Sequence, residues 1–73
     1  MVDITLCSSG LEVDIRVSTK LTTPELIETI CMTLAIEKPM GEGIYVVNRQ
    51  YLLRMDGHNP SGLLDGDKIM FIV

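Results

Sequence analysis

Residues 63–73 read LLDGDKIMFIV, and what this stretch forms decides the fold. Asp65, Gly66 and Asp67 predict a tight turn, because glycine supplies positive φ without steric cost and aspartate side chains satisfy turn amides. Residues 68–73 are apolar, β-branched and aromatic over a short run, which suits a strand better than a helix. The chain is therefore expected to close on a strand that runs to Val73, with no free tail. Leu63 and Leu64, just ahead of the turn, are expected to plug one end of the core.

The opposite end of the sequence supplies partners for that strand. In VDITLC, Val2, Ile4 and Leu6 alternate with Asp3, Thr5 and Cys7, the period of a half-buried strand. After SSG, the stretch LEVDIRVS repeats the pattern with Leu11, Val13, Ile15 and Val17. Two strands joined this closely predict a β-hairpin.

At TKLTTPELIETICMTLAI the period changes to that of a helix, expected over about residues 23–35. Thr23 ahead of Pro24 is one candidate cap, and Thr22 with Glu25 forms the alternative capping box. Leu26, Ile27, Ile30, Cys31 and Leu34 share one face, with Glu25, Glu28, Thr29 and Thr33 opposite. EKPMGEG ends the helix through Pro39 and its glycines. IYVVN and YLLR then read as two short strands around NRQ, and MDGHNPSG as an exposed, turn-rich passage.

The resulting order is strand, strand, helix, strand, short strand, strand. It predicts one α+β domain over residues 1–73: a β-grasp with a mixed sheet of four or five strands and one helix packed across it. A right-handed crossover through the helix should return the third strand parallel to the second or near it. The expected core is Ile4, Leu6, Val13, Ile15, Val17, Leu26, Ile30, Leu34, Ile69 and Phe71.

Composition narrows the function. At 73 residues and 47% hydrophobic, the chain can build one small core, burying about 60% of the surface its unfolded form exposes. Net charge is −4, with six scattered basic residues against ten acidic ones, no tryptophan and three other aromatics, which argues against nucleic-acid binding. Mean hydropathy of +0.32 is high for a small domain and points to a sticky face. No run approaches the roughly 18 apolar residues that span a bilayer. The first 30 residues lack a basic start followed by an apolar stretch, so the cytoplasm is the expected compartment and Cys7 and Cys31 are expected as thiols.

The residues that could carry chemistry lack partners. His58, the sole histidine, has no second histidine or cysteine at a metal-ligand spacing and reads as a loop residue. Cys31 belongs to the apolar helix face, and Cys7 ends a strand with no base in view. GEG and SGLLDG lack the spacing of a phosphate-binding loop. Asp65 and Asp67 are followed by no glutamate at a calcium-loop distance. No catalytic residue, metal ligand or cofactor site is expected.

With this element order and the closing GLLDGDKIMFIV, the sequence resembles the ubiquitin-like domains. More narrowly it resembles the YukD/EsaB family, small ubiquitin-like proteins encoded with type VII (WXG-type) secretion systems of Gram-positive bacteria. The resemblance runs from Val2 to Val73 and rests on TPELIETI at the helix start, IYVVNRQYLL in the middle and LLDGDKIMFIV at the end. It implies a non-enzymatic cytoplasmic accessory protein that binds protein components of a membrane-embedded secretion machine without inserting into the membrane itself. The alternative is a ubiquitin-like modifier or sulfur-carrier relative, which this form could not serve by conjugation because it has no C-terminal Gly-Gly.

The ubiquitin-like layout also makes the third and last strands neighbours. Alternation then sends Tyr45, Val47, Met70 and Ile72 to the face away from the helix, a position normally polar in an antiparallel sheet. With Arg49 and Arg54 as a rim, these residues are the expected protein-docking surface, whether for another protein or for a homo-oligomer.

Overall fold

The computed structural model describes residues 1–8, 10–39, 41, 43–56 and 58–72, so Val73, expected to end the last strand, lies outside it. Strands β1 (Val2–Ser8) and β2 (Leu11–Val17) form the hairpin. Ser8 lies opposite Leu11, and Gly10 turns the chain at φ 81°, a conformation open to glycine and strained for other residues.

Of the two candidate caps, Thr22 is the one used. The Glu25 carboxylate accepts hydrogen bonds from the Thr22 amide (3.0 Å) and hydroxyl (2.9 Å), and helix α1 (Thr23–Leu34) follows with Pro24 in its first turn. The two hydrogen bonds from Thr22 hold the Glu25 carboxyl below its ordinary pKa. At the other end Ala35 takes a left-handed conformation (φ 55°), and the Ile36 amide reaches back to the Cys31 carbonyl at 3.0 Å.

Strands β3 (Gly43–Val46), β4 (Tyr51–Arg54) and β5 (Lys68–Phe71) complete a five-stranded mixed sheet in the order β2-β1-β5-β3-β4. With the helix packed across one face, the architecture is α+β and β-grasp-like. β5 inserts between β1 and β3, parallel to the first and antiparallel to the second. β3 thus runs in the direction of β2, as expected of the crossover, but β1 and β5 stand between them.

The core lies between the helix and the sheet. Leu26, Ile27, Ile30 and Cys31 from the helix meet Ile4, Leu6, Ile15, Val17, Ile44, Val46 and Ile69 from the sheet, and Leu63 closes one end. Four expected core positions are corrected. Val13 pairs with Leu6 and shares its side of the sheet, yet it is 38% exposed, because it sits on an edge strand toward the hairpin end. Leu34 and Phe71 are only partly buried at the core margin. Leu64 does not plug the core with Leu63; it is 56% exposed in the turn before β5.

One glycine is fixed by space. A Cβ on Gly43 would stand 2.1 Å from the Leu53 carbonyl oxygen on the paired strand. Gly43→Ala must therefore push β4 away, at about 1 to 3 kcal/mol. The expected readout is faster amide exchange at Ile44 and Leu53, the hydrogen-bonded pair next to Gly43, and a lower thermal midpoint; unchanged exchange there would contradict the close approach.

Candidate functional site

The face of the sheet opposite the helix divides into two halves of different character. On β1 and β2 it is polar: Asp3 pairs with Arg16, Thr5 with Asp14 and Cys7 with Glu12. Arg16 donates to Asp3 at 2.9 and 3.3 Å, the Thr5 hydroxyl donates to Asp14 at 2.7 Å, and Lys68 lies 3.3 Å from Glu12. These charges compensate one another on the surface, and each such pair contributes little to stability.

Across the middle of β5, β3 and β4 the same face is apolar, between Lys68 at one end and Arg54 at the other. Tyr45 stands between Met70 on one side and Leu52 on the other. Met70 (42% exposed) and Leu52 (44%) are both open to solvent, and Cys7 lines a shallow depression with Met70. Cys7, Met70, Tyr45 and Leu52 therefore form a row across four strands. Val47 is exposed just beyond β3, its amide bonded to the Lys68 carbonyl at 2.7 Å. Ile72, next after β5, is partly exposed and donates to the Gly43 carbonyl at 3.1 Å.

Tyr45 and Met70 thus face each other as the alternation requires. Leu52 was not among the expected surface residues, although a four-residue connection from Val46 to Tyr51 places it beside Tyr45. Arg54, opposite Gly43, is exposed on the same face 3.5 Å from Asp56.

Arg49 is placed elsewhere and has a different task. Its guanidinium stacks over Tyr51, with 4.8 Å to the ring centre, and Tyr51 is the partner of buried Val46, which puts the pair on the helix side of the sheet. From there Arg49 donates to Asp67 through Nε (3.0 Å) and Nη2. The Asp67 side chain, 1% exposed, also accepts from the Asn48 amide group (3.0 Å) and the Leu64 backbone amide (2.9 Å). Burial pushes the Asp67 carboxyl up, but the Leu64, Asn48 and Arg49 donors outweigh it, and its pKa lies below the ordinary aspartate value.

The sequence marked Asp65–Gly66–Asp67 as a turn, and it is one. Gly66 has φ 87°, the Asp67 amide returns to the Leu64 carbonyl at 3.1 Å, and Asp65 accepts from the Asp3 amide at 2.8 Å. Asp67 exceeds that role, since its four donors tie the turn before β5 to the connection between β3 and β4.

The thiols are poorly set up as nucleophiles. Burial, the Glu12 charge and a hydrogen bond to Glu12 push the Cys7 thiol up, and burial does the same for Cys31, whose Sγ lies 3.7 Å from the Glu37 carbonyl. The sheet lies between the two, Cys7 on its open face and Cys31 on the helix, and both are free. His58 is exposed. Among the described residues no three His, Cys, Asp or Glu side chains are grouped to hold a metal ion, and no helix is long and apolar enough to cross a membrane. No family profile, curated protein or solved structure matches the chain.

Proposed function

We propose that the chain is a non-enzymatic, cytoplasmic accessory protein of a type VII secretion system in a Gram-positive bacterium. It acts by docking its open sheet face onto a protein component of the membrane-embedded machine. One observation carries the docking half of this reading: the row of Met70, Tyr45 and Leu52, bordered by Val47, Ile72 and Arg54, stands on a sheet face whose other half is polar. The choice of machine rests on the sequence's resemblance to the YukD/EsaB family.

The test replaces Leu52 and Met70 by Lys. Both side chains are already in solvent, so stability should change by no more than about 1 kcal/mol. In the bound state the two charges would be desolvated at the centre of an apolar contact, which costs far more than the contacts they replace. Co-purification with the detergent-solubilised machine should be lost and substrate secretion should fall, while the thermal transition is kept. A folded, abundant double variant that still co-purifies and still supports secretion would reject this face as the docking surface.

A further inference from the structure

Among the described residues the sheet has a second unpaired feature, separate from its open face: the outer edge of β2. The Thr5 amide donates to the Asp67 carbonyl (2.9 Å) and the Gly66 amide to the Asp3 carbonyl (2.8 Å), so Asp3 and Thr5 direct their backbone groups toward β5. Their partners across the hairpin are Arg16 and Asp14. In an antiparallel pair opposite residues either exchange both hydrogen bonds or neither, in alternation. Leu11, Val13, Ile15 and Val17 are thus the residues bonded to β1, and Glu12, Asp14 and Arg16 aim their amides and carbonyls outward from the sheet. The edge is seven residues long, the length of β2, and contains no proline. Its helix-side residues include Leu11 (69% exposed) and the part-exposed Val13. Such an edge is a template for another strand.

We infer that the strand it pairs with is β2 of a second copy of this chain, antiparallel across a two-fold axis at Asp14. The sequence Leu-Glu-Val-Asp-Ile-Arg-Val is self-complementary in that register. Glu12 meets Arg16 of the other copy and Arg16 meets its Glu12, so two further ion pairs join the Asp3–Arg16 and Glu12–Lys68 pairs within each copy on the open face. On the helix side Leu11 meets Val17, and Val13 meets Ile15. The outward backbone groups of residues 12, 14 and 16 all find partners. Shifting the register by two residues toward the hairpin would set Glu12 against Asp14; shifting it the other way would pair Asp14 with Arg16 but set Glu12 and Leu11 against Ser18 and Thr19, beyond the end of β2. Only one pair is unfavourable, Asp14 against its own copy, and it keeps the dimer weak. The two-fold axis stands perpendicular to the sheet, so both helices share one face of a ten-stranded sheet and both apolar rows share the other. A partner presenting two sites would then gain from simultaneous engagement.

Sedimentation equilibrium over a concentration series reads the outcome. Wild type should rise from 8.1 kDa toward twice that mass. Glu12→Arg alone and Arg16→Glu alone each place like charges opposite one another twice and should weaken association at least about tenfold. An equimolar mixture of the two restores opposite charges at both positions and should associate again. Asp14→Asn, which keeps an acceptor for the Thr5 hydroxyl, should tighten the dimer. Far-UV circular dichroism confirms that each variant is folded. The inference fails if wild type stays monomeric to millimolar concentration, if either single charge variant associates like wild type, if the mixture does not recover, or if Asp14→Asn weakens association.

Discussion

An Asp67→Ala variant is expected to melt far below wild type, with a substantial unfolded population at room temperature. The substitution strips the acceptor from four donors at once: Asn48 Nδ2, Arg49 Nε and Nη2, and the Leu64 amide. The carboxylate is buried, but Arg49 keeps 33% of its side chain in solvent and can rehydrate, so the cost is about 2 to 3 kcal/mol, carried chiefly by the Leu64 and Asn48 donors left without an acceptor. A core of this size supplies a net stability of only about 3 to 5 kcal/mol. The loss therefore takes more than half of the stability of the domain. Differential scanning calorimetry gives the direct check, and a transition within a few degrees of wild type would show that the cluster contributes little.

The same carboxylate predicts a pH dependence whose sign is fixed. Its pKa is lower folded than unfolded, so the unfolded chain binds the proton more readily. The stabilisation is complete above the ordinary aspartate pKa and is lost as pH falls through the depressed folded value. Asp3, held low by Arg16, and Glu25, held low by Thr22, titrate in the same direction. The comparison that isolates Asp67 is thus wild type against Asp67→Asn in urea, at neutral and acid pH. The stability difference between the two should shrink as the pH drops.

Ile30→Ala should, with Leu26→Ala, be among the most damaging simple truncations on the helix. Ile30 is wholly buried in the layer between α1 and the sheet, and removing most of such a side chain costs about 2 to 5 kcal/mol through lost burial and the cavity left behind. The urea midpoint should fall in proportion, with an unchanged slope. A loss below about 0.5 kcal/mol, the scale of ordinary surface changes, would mean that the helix does not pack through this face.

Local pattern was enough to read every element, because strand alternation and the helix stripe are imprinted residue by residue. It also read the orientation of Tyr45 and Met70 once the neighbouring strands were granted. It failed where exposure depends on what covers a position. Val13 has the inward parity of Ile15 yet lies beyond the cover of the core, and parity says nothing about cover. Leu64 resembles Leu63 in sequence, but the turn rotates it outward. Arg49 and Asp67 are 18 residues apart and each has an ordinary local reading, one as a rim charge and one as a turn acid. Nothing short of the fold brings them together. Leu52 could have been found, since the length of the β3–β4 connection fixes its place beside Tyr45.

The position of β5 between β1 and β3 also sets an order of events. The hairpin and the helix close over short separations and can form early, on the microsecond scale of such elements. The centre of the sheet cannot, because it joins segments as far apart as Asp3 and Asp65, separated by 62 residues. Closing a loop of that length is an entropic cost met before any central contact forms, which makes the domain slower to fold than a helical bundle of its size. Until residues 68–71 arrive, a nascent chain holds Ile4, Leu6 and the helix stripe without the strand that completes their cover. In the cell, that interval is when this protein is most exposed to aggregation and most dependent on chaperones.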